Sequence, residues 1–546
     1  MEIFALLKRK RSYLYIGGLL FIVIALSTKG ITDESVVSLN GDMPKFLMNG
    51  VYFYDLLADL PVSDPMEHAY LYFAQYPALS LGHHPILLGI TEVPFYAIFG
   101  ISVFSARLCI VFFAVLGAIT LYFLVRLIYG DDIAFLASAL YATTPFVVKF
   151  TRIVMPEIQA MSLIIVAAYF FIKYSQSNKK FFVAATILFF VLSLYAKHLS
   201  VFILPVFILS YLIEKGPKKL FQKEIIVYGI VGIVLTLPLV FITLKFSQSN
   251  VQWVAHSSLQ SKFSLANIGF YPTALYKYHV SVPVLVFSLI AIAMSVVRRD
   301  GKIVLFVLWI LGMYLLLFGM GVQKVIRHGM YWIPAICVCA AASTSLIRNR
   351  PIKMIAASLL TATVVYQFVI SYRMAPEYAS GYEKLAKYVV KNWKGDSILY
   401  SSPEDSGYLV FFIRKYDHDR KMIILRADKI LASSKMDKIV DDKVKNRDQI
   451  YQILNKFGVY YVVLDDKTLD SQALEIFNNE VKTSSKFKFV EGTHIGSESA
   501  RFNNTPLDIY EYVEYKPAKT GKILKMDIPL AGDSIRVPFN KLFDKK

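Results

Sequence analysis

The chain has 546 residues, 56% of them hydrophobic and 18% charged, with 59 Lys and Arg against 40 Asp and Glu for a net charge of +19. Soluble domains carry about 45–50% apolar and about 25% charged residues, so a wholly soluble protein is excluded. Much of the basic excess lies in short loops beside apolar runs, which makes an anionic leaflet, not nucleic acid, its partner.

The apolar residues between Tyr13 and Ile370 fall into runs of roughly 16–22, each long enough to cross a ~30 Å hydrocarbon core as a helix. The first follows Lys8, Arg9, Lys10 and Arg11, which place the N-terminus in the cytoplasm. Ser27-Thr28-Lys29-Gly30 makes a poor signal-peptide cleavage site, so this helix is expected to be retained. A polar loop, 28–84, then lies outside. The stretch 85–99 is short, carries Glu92 and has Pro94 in its middle. Placed in the interface instead of across the membrane, it leaves spans near 104–127, 132–149, 157–174, 181–196, 198–213, 225–245, 281–297, 302–320, 329–347 and 353–371. Lys179-Lys180, Lys215 to Lys223, Arg298-Arg299 and Arg348 to Lys353 then all fall inside. The expected fold is a polytopic α-helical membrane protein with about eleven transmembrane helices over 1–372, multi-pass in the plasma (cytoplasmic or inner) membrane.

After Tyr372 the texture is that of a soluble domain, 373–546, expected outside the membrane. A helical pattern over 382–393 precedes strand-like runs at 397–400, 422–425 and 459–464, with a helix at 447–456 and further strands within 507–515 and 525–537. That alternation predicts an α/β domain. It holds no nucleophile elbow, P-loop or metal motif. Cys109, Cys337 and Cys339 all sit in apolar segments and read as small hydrophobes.

Ionisable groups at membrane depth are costly and mark function. On this topology Asp33, Glu34, Asp42, His83, His84, Arg107, Arg152, Glu157, Lys197, His198, Lys324, Arg327 and His328 gather on the outer side. Each has a plainer explanation. Asp42 is placed to N-cap a helix that has Pro44 in its first turn. Glu157 follows Pro156 where an acid favours the helix dipole. Lys197 and Arg327 sit where basic chains snorkel, Arg107 where a span is anchored, and His83 or His84 where a ring pairs locally. As a set they are chemically mixed. Carboxylates serve as a general base or hold a metal ion, and Lys and Arg neutralise phosphate. Together they describe group transfer from a lipid-borne phosphate to a hydroxyl or amine.

The ordered pieces Gly41-Asp42-Met43-Pro44, His83-His84-Pro85-Ile86-Leu87, Phe99-Gly100 to Arg107-Leu108, Val154-Met155-Pro156-Glu157, Ala196-Lys197-His198 and Arg327-His328 to Pro334 resemble the GT-C membrane glycosyltransferases that use polyprenyl-phosphate sugars. The branch resembled is that of dolichyl-phosphate-mannose protein mannosyltransferases and aminoarabinose lipid A transferases. The resemblance covers roughly 10–350. It implies a sugar moved from a polyprenyl-phosphate donor to a protein, lipid or glycan acceptor on the outer face, with inversion. It implies Asp42 and Glu157 as catalytic acids, with Lys197, Arg327, His198 and His328 on the donor phosphate. Asp33, Glu34, His83, His84 and Arg107 would then serve the acceptor or support the site. If a divalent cation takes part, Asp42 and Glu157 are the pair to hold it. The family often has an Asp-Glu pair where this chain has Asp42-Met43, with Asp33-Glu34 nine residues earlier, so Asp33 and Asp42 compete for the base. Two rival functions are a transporter or flippase of lipid-linked sugars and a membrane sensor with an outer domain. The first predicts repeats with broken helices, which the sequence lacks.

Overall fold

Proline and small polar caps set where many of the helices begin. The computed structural model describes residues 2–39, 42–61, 63–246, 263–320, 324–401, 406–435, 438–465, 471–518, 521–528 and 533–543. Gly41 of the acidic motif and 247–262 of the later loop lie outside the described residues. Helix α1 is Glu2–Ser27, and the polar loop after it folds into α2 (Met43–Asp59) and α3 (Pro65–Gln75), followed by α4 (Leu87–Phe99). Asp64 caps α3 by accepting from Glu67 N at 2.8 Å, with Pro65 needing no partner in the first turn. Then come α5 (Val103–Tyr129), α6 (Asp131–Thr143), α7 (Pro145–Thr151), α8 (Pro156–Ser177), α9 (Lys180–Ala196) and α10 (Ile203–Lys215). The membrane-type helices continue with α11 (Lys223–Phe246), α12 (Leu265–Ala274), α13 (Val282–Arg298), α14 (Val304–Gly319), α15 (Ile333–Leu346) and α16 (Arg350–Arg373).

Among the described residues, eight helical segments are long and apolar enough to cross a membrane, or nine if α6 and α7, bent by 64° at Thr144, form one span. The expected count was about eleven. The difference is α9 and α13, apolar helices of 17 residues each, which would reach only ~25 Å at 1.5 Å per residue. The segment read as interfacial is α4, a helix of 13 residues that contains Pro94.

The chain divides into two compact units. One comprises Met1–Ile31, Arg107–Phe241 and Val251–Pro376; the other comprises Thr32–Ala106, Ile242–Asn250 and Glu377–Lys546. The first is a helical bundle. Its most buried member is α15 with the turn before it, where a Trp309 Nε1–H bond to the Tyr331 carbonyl ties α14 to that turn.

The second unit joins the polar first loop and α4 to the C-terminal domain. That domain has α17 (Tyr382–Lys391), α18 (Ser406–Tyr416), α19 (Arg447–Lys456) and α20 (Gln472–Thr483) around a five-stranded sheet. Its strands are β1 (Ser397–Ser401), β2 (Ile423–Arg426), β5 (Val459–Asp465), β6 (Phe487–Ile495) and β7 (Thr505–Tyr512), in the order β2-β1-β5-β7-β6. β1 runs parallel to β2 and β5, while β7 runs antiparallel to β5 and β6. β1 is buried at every residue, as a strand covered on both faces must be. Two antiparallel pairs, β3 (Ala432–Lys435) with β4 (Lys438–Asp442) and β8 (Ile523–Ile528) with β9 (Asp533–Pro538), complete the domain.

Within the same unit α2 and α4 cross at close range, because glycines line the seam. A Cβ at Gly89 would lie 3.0 Å from the Asn49 carbonyl carbon and 3.1 Å from Gly50 N. Gly89→Val forces two backbones apart and is expected to lower stability by about 1–3 kcal/mol, read as a reduced midpoint of thermal unfolding in detergent. Glu92 lies in this seam beside Gly50, fully buried, with neither carboxylate oxygen hydrogen-bonded among the described residues.

Candidate functional site

In the helical unit three charged side chains from distant parts of the sequence meet. Pro156 opens α8, and its ring occupies the first turn where no amide donor is required. Glu157 follows, fully buried. Lys197 stands between α9 and the 3-10 turn His198–Phe202, in extended backbone that breaks the helix. Its Nζ donates to Glu157 Oε1 at 2.9 Å. Arg327 lies in the 3-10 turn Ile326–Trp332, with Nε 3.5 Å from the same Oε1. Two cations thus share one carboxylate, and Glu157 Oε2 accepts no hydrogen bond among the described residues. Both cations are part-buried beside a fully buried carboxylate, where electrostatic attraction for an anion is stronger than in water.

His328 is buried beside them, within electrostatic range of Lys197, Arg327 and Glu157. His198 opens its short turn half-buried. Tyr331 was not singled out in the sequence. It is fully buried, its phenol oxygen has no hydrogen-bond partner among the described residues, and it lies within electrostatic range of Glu157 and Arg327. Its only sequence signal was an aromatic residue inside the Arg327-to-Pro334 piece.

Arg107 and Arg152 have other work. The Arg107 guanidinium, fully buried, donates to the Lys29 carbonyl at 3.0 Å and to the Gly30 carbonyl. Arg152 donates to the carbonyls of Leu26, Ser371 and Met374 at 2.7–2.8 Å. Arg152 closes the ends of α1 and α16 by satisfying orphan carbonyls, while Arg107 holds the turn that follows α1. Lys324 lies over the Phe270 ring, 5.4 Å from its centroid.

In the second unit Asp42 occupies the N-cap position of α2, with Pro44 in the first turn, but its side chain makes no capping hydrogen bond. Its Oδ1 instead meets Lys45 Nζ at 3.0 Å and His84 Nε2 at 3.5 Å. The His84 ring also packs on Phe46 (centroids 4.9 Å apart) and on His83 (4.6 Å). Asp42 is therefore a partly exposed acid held by a cation and an imidazole. Asp33 bonds locally, accepting from the Ser35 amide and hydroxyl at 2.9 and 2.7 Å. Glu34 caps the start of α5, accepting from the Val103 and Phe104 amides, and pairs with Lys415 at 2.8 Å. Asp42 stands with His84, while Asp33 and Glu34 are engaged elsewhere.

No three His, Cys, Asp or Glu side chains among the described residues form a metal-type cluster. Glu157, named as half of a metal pair, is held by two cations, and Asp42 belongs to the other compact unit.

The fold that carries these groups is that of the GT-C membrane glycosyltransferases. Within that class, residues 83–242 match the family model described as dolichyl-phosphate-mannose-protein mannosyltransferase. Among solved structures, the chain is similar to ArnT from Cupriavidus metallidurans in the apo state, with 12% identity, a TM-score of 0.60, and 91% of this chain and 97% of that one covered. It is also similar to the archaeal oligosaccharyltransferase AglB from Archaeoglobus fulgidus, in complex with an inhibitory peptide and a dolichol-phosphate. There the identity is 13% and the TM-score 0.57, over 83% of this chain and 69% of that one. A third is the arabinofuranosyltransferase AftD from Mycobacteria, at 12% identity and TM-score 0.57, of which this chain covers 40%. No curated protein matches the sequence.

Proposed function

We propose that this chain is an integral membrane glycosyltransferase that moves a sugar from a polyprenyl-phosphate donor to an acceptor on the outer face of the membrane, with inversion. The observation that carries this reading is the convergence of two cations, Lys197 and Arg327, on the buried carboxylate of Glu157. Solved structures with this fold contain such lipids: AglB holds a dolichol-phosphate, and ArnT is bound to undecaprenyl phosphate. Neither the fold nor the family match favours the transporter or sensor alternatives.

In the reaction, the donor phosphate takes hydrogen bonds from Lys197 and Arg327, with His198 and His328 near the same anion. Glu157 holds both cations in place and sets their aim. Asp42 orients the acceptor and removes the proton from its attacking hydroxyl or amine. The acceptor atom bonds to the anomeric carbon from the face opposite the phosphate. The bond between that carbon and the phosphate oxygen breaks, and the lipid phosphate leaves with the electron pair. His84 and Lys45 hold Asp42 in position. The same reading places the N-terminus in the cytoplasm and the C-terminal domain outside, in the plasma membrane. The acceptor is a protein, lipid or glycan.

The test is transfer by the purified, correctly inserted protein from a panel of polyprenyl-phosphate sugars to a panel of acceptors. Failure with every donor, together with no binding of polyprenyl phosphate, would overturn the reading. Arg327→Ala is expected to weaken donor affinity about 10- to 100-fold, the worth of a charge-assisted hydrogen bond to phosphate. An unchanged donor KM removes Arg327 from the phosphate site.

A further inference from the structure

The 3-10 turn Ile326–Trp332 carries Arg327, and short 3-10 turns with few internal bonds need outside support to hold one geometry. One buried imidazole supplies it. His279 ends the π-helical turn Leu275–His279 that follows α12 and is completely buried. Its Nε2 lies 2.8 Å from the Ile326 carbonyl oxygen, and Trp332 Nε1–H donates to its Nδ1 at 3.2 Å. These two bonds fix the ring chemically. Nε2 faces an acceptor and carries the proton; Nδ1 faces a donor and must be bare. The ring is therefore neutral, and it bonds to both ends of the turn.

Packing holds the ring as tightly as its hydrogen bonds do. Phe146 of α7 stacks edge-on at 4.8 Å between centroids, and the Trp332 ring lies 5.7 Å away. In the middle of the turn, Gly329 presses its backbone on the imidazole, where a Cβ would come within 2.3 Å of Cε1. A buried ring cannot yield that distance as a flexible side-chain tip could. Gly329 is thus required by the close approach of the turn to the ring.

We propose that His279 is a positioning residue for the anion site: it clamps the Ile326–Trp332 turn at both ends and so fixes the aim of Arg327 at the donor phosphate. The inference rests on the donor-phosphate role proposed for Arg327. It assigns no contact between His279 and the substrate.

The test measures binding of undecaprenyl phosphate to the full-length protein in nanodiscs, alongside the donor KM and kcat. His279→Phe keeps a ring and removes both polar bonds. It is expected to weaken binding about 10-fold and raise donor KM similarly, with the acceptor KM unchanged. His279→Gln, whose amide N–H can still reach the Ile326 carbonyl, should recover part of the loss. Gly329→Ala, which displaces the ring without touching its chemistry, should act in the same direction. The double variant His279→Phe/Arg327→Ala should bind no worse than Arg327→Ala alone, since groups that act through one another are not additive. Equal losses in donor and acceptor KM, or full additivity with Arg327→Ala, would make His279 merely structural and overturn the proposal. If Arg327→Ala weakens binding while His279→Phe and Gly329→Ala do not, this inference alone fails. If the unaltered protein and Arg327→Ala bind the lipid phosphate equally, the donor-phosphate reading fails first.

Discussion

Replacing Asp42 by Asn is expected to lower the rate of sugar transfer about 10²–10⁴-fold, the usual contribution of a positioned general base. The substitution keeps the size of the side chain and an oxygen able to accept from Lys45 Nζ, which stands 3.0 Å from Oδ1. What it removes is the charge and the basicity. Donor affinity should hardly change, because no phosphate contact is assigned to Asp42. The loss should therefore appear in kcat, with the protein folded and inserted as before. Asp33→Asn is the matched control, since that carboxylate is engaged by Ser35 within its own turn. Full transfer by the Asp42 variant would remove the base assignment, and a loss confined to Asp33→Asn would move the base there.

The largest expected effect on stability comes from Asp55. This acid sits on α2, and Arg414 of α18 grips it with both arms, Nε to Oδ2 at 2.9 Å and a terminal nitrogen to Oδ1 at 2.5 Å. The pair is 3% and 5% exposed, so solvent screens it little. Tyr72 donates a third bond to Asp55 at 2.6 Å, and the neighbouring Tyr76 donates to Asp417 at 3.2 Å. Burial and the adjacent carboxylates push both phenols well above their ordinary range, so they stay neutral donors. Burial alone would lower the Arg414 guanidinium, but the Asp55 carboxylate beside it raises its pKa. Asp55→Ala leaves a buried cation uncompensated and is expected to cost about 3–5 kcal/mol. The measurement is thermal unfolding of the detergent-solubilised protein. Replacing both partners, as Asp55→Leu with Arg414→Met, should restore much of the loss, because the desolvation penalty disappears with the charges. A single-variant loss below ~1 kcal/mol would mean that water reaches the pair.

The same pairing extends along the surface of the unit. Arg420 forks onto Asp59 with two bonds of 2.6 Å, and His68 reaches the same acid at 3.0 Å. Burial would raise the Asp59 carboxyl, but these partners hold it below its ordinary value. Nearer the start of α2, a Cβ at Gly407 would lie 2.7 Å from Pro44, and Tyr408 donates to the Ser38 carbonyl. The C-terminal domain thus belongs to the same compact unit as the loop that bears Asp42, through contacts at both ends of α2.

Membrane class was legible because hydropathy acts residue by residue: a run of apolar side chains is visible without knowing its neighbours. The helix at 447–456 and the strands near 397–400 and 459–464 were legible for the same reason, since their periodicity is local. Helices α18 and α20 and strand β6 were not singled out; α18 holds a short continuous apolar run, Tyr408 to Ile413, that suits helix or strand alike, and in α20 and β6 the apolar residues are interrupted by Glu, Asn and Lys. Helix α2 was legible only at its start, where Asp42 precedes Pro44, and α3 was not legible; their buried faces exist only against α4 and the C-terminal domain.

The candidate site divides along the same line. The sequence determined which residue types stand near the helix ends, and so placed Asp42, Glu157, Lys197 and Arg327 among the candidates. It could not distinguish them from Arg107 and Arg152, which have equal charge and similar positions. Only the tertiary structure decided that Arg107 and Arg152 spend their donors on backbone carbonyls while Lys197 and Arg327 meet at Glu157. It alone revealed His279 and the Asp55–Arg414 pair. The physical reason is that a side chain's chemistry is set by its nearest partners, and here those partners are brought together by helix packing from positions that no local pattern connects.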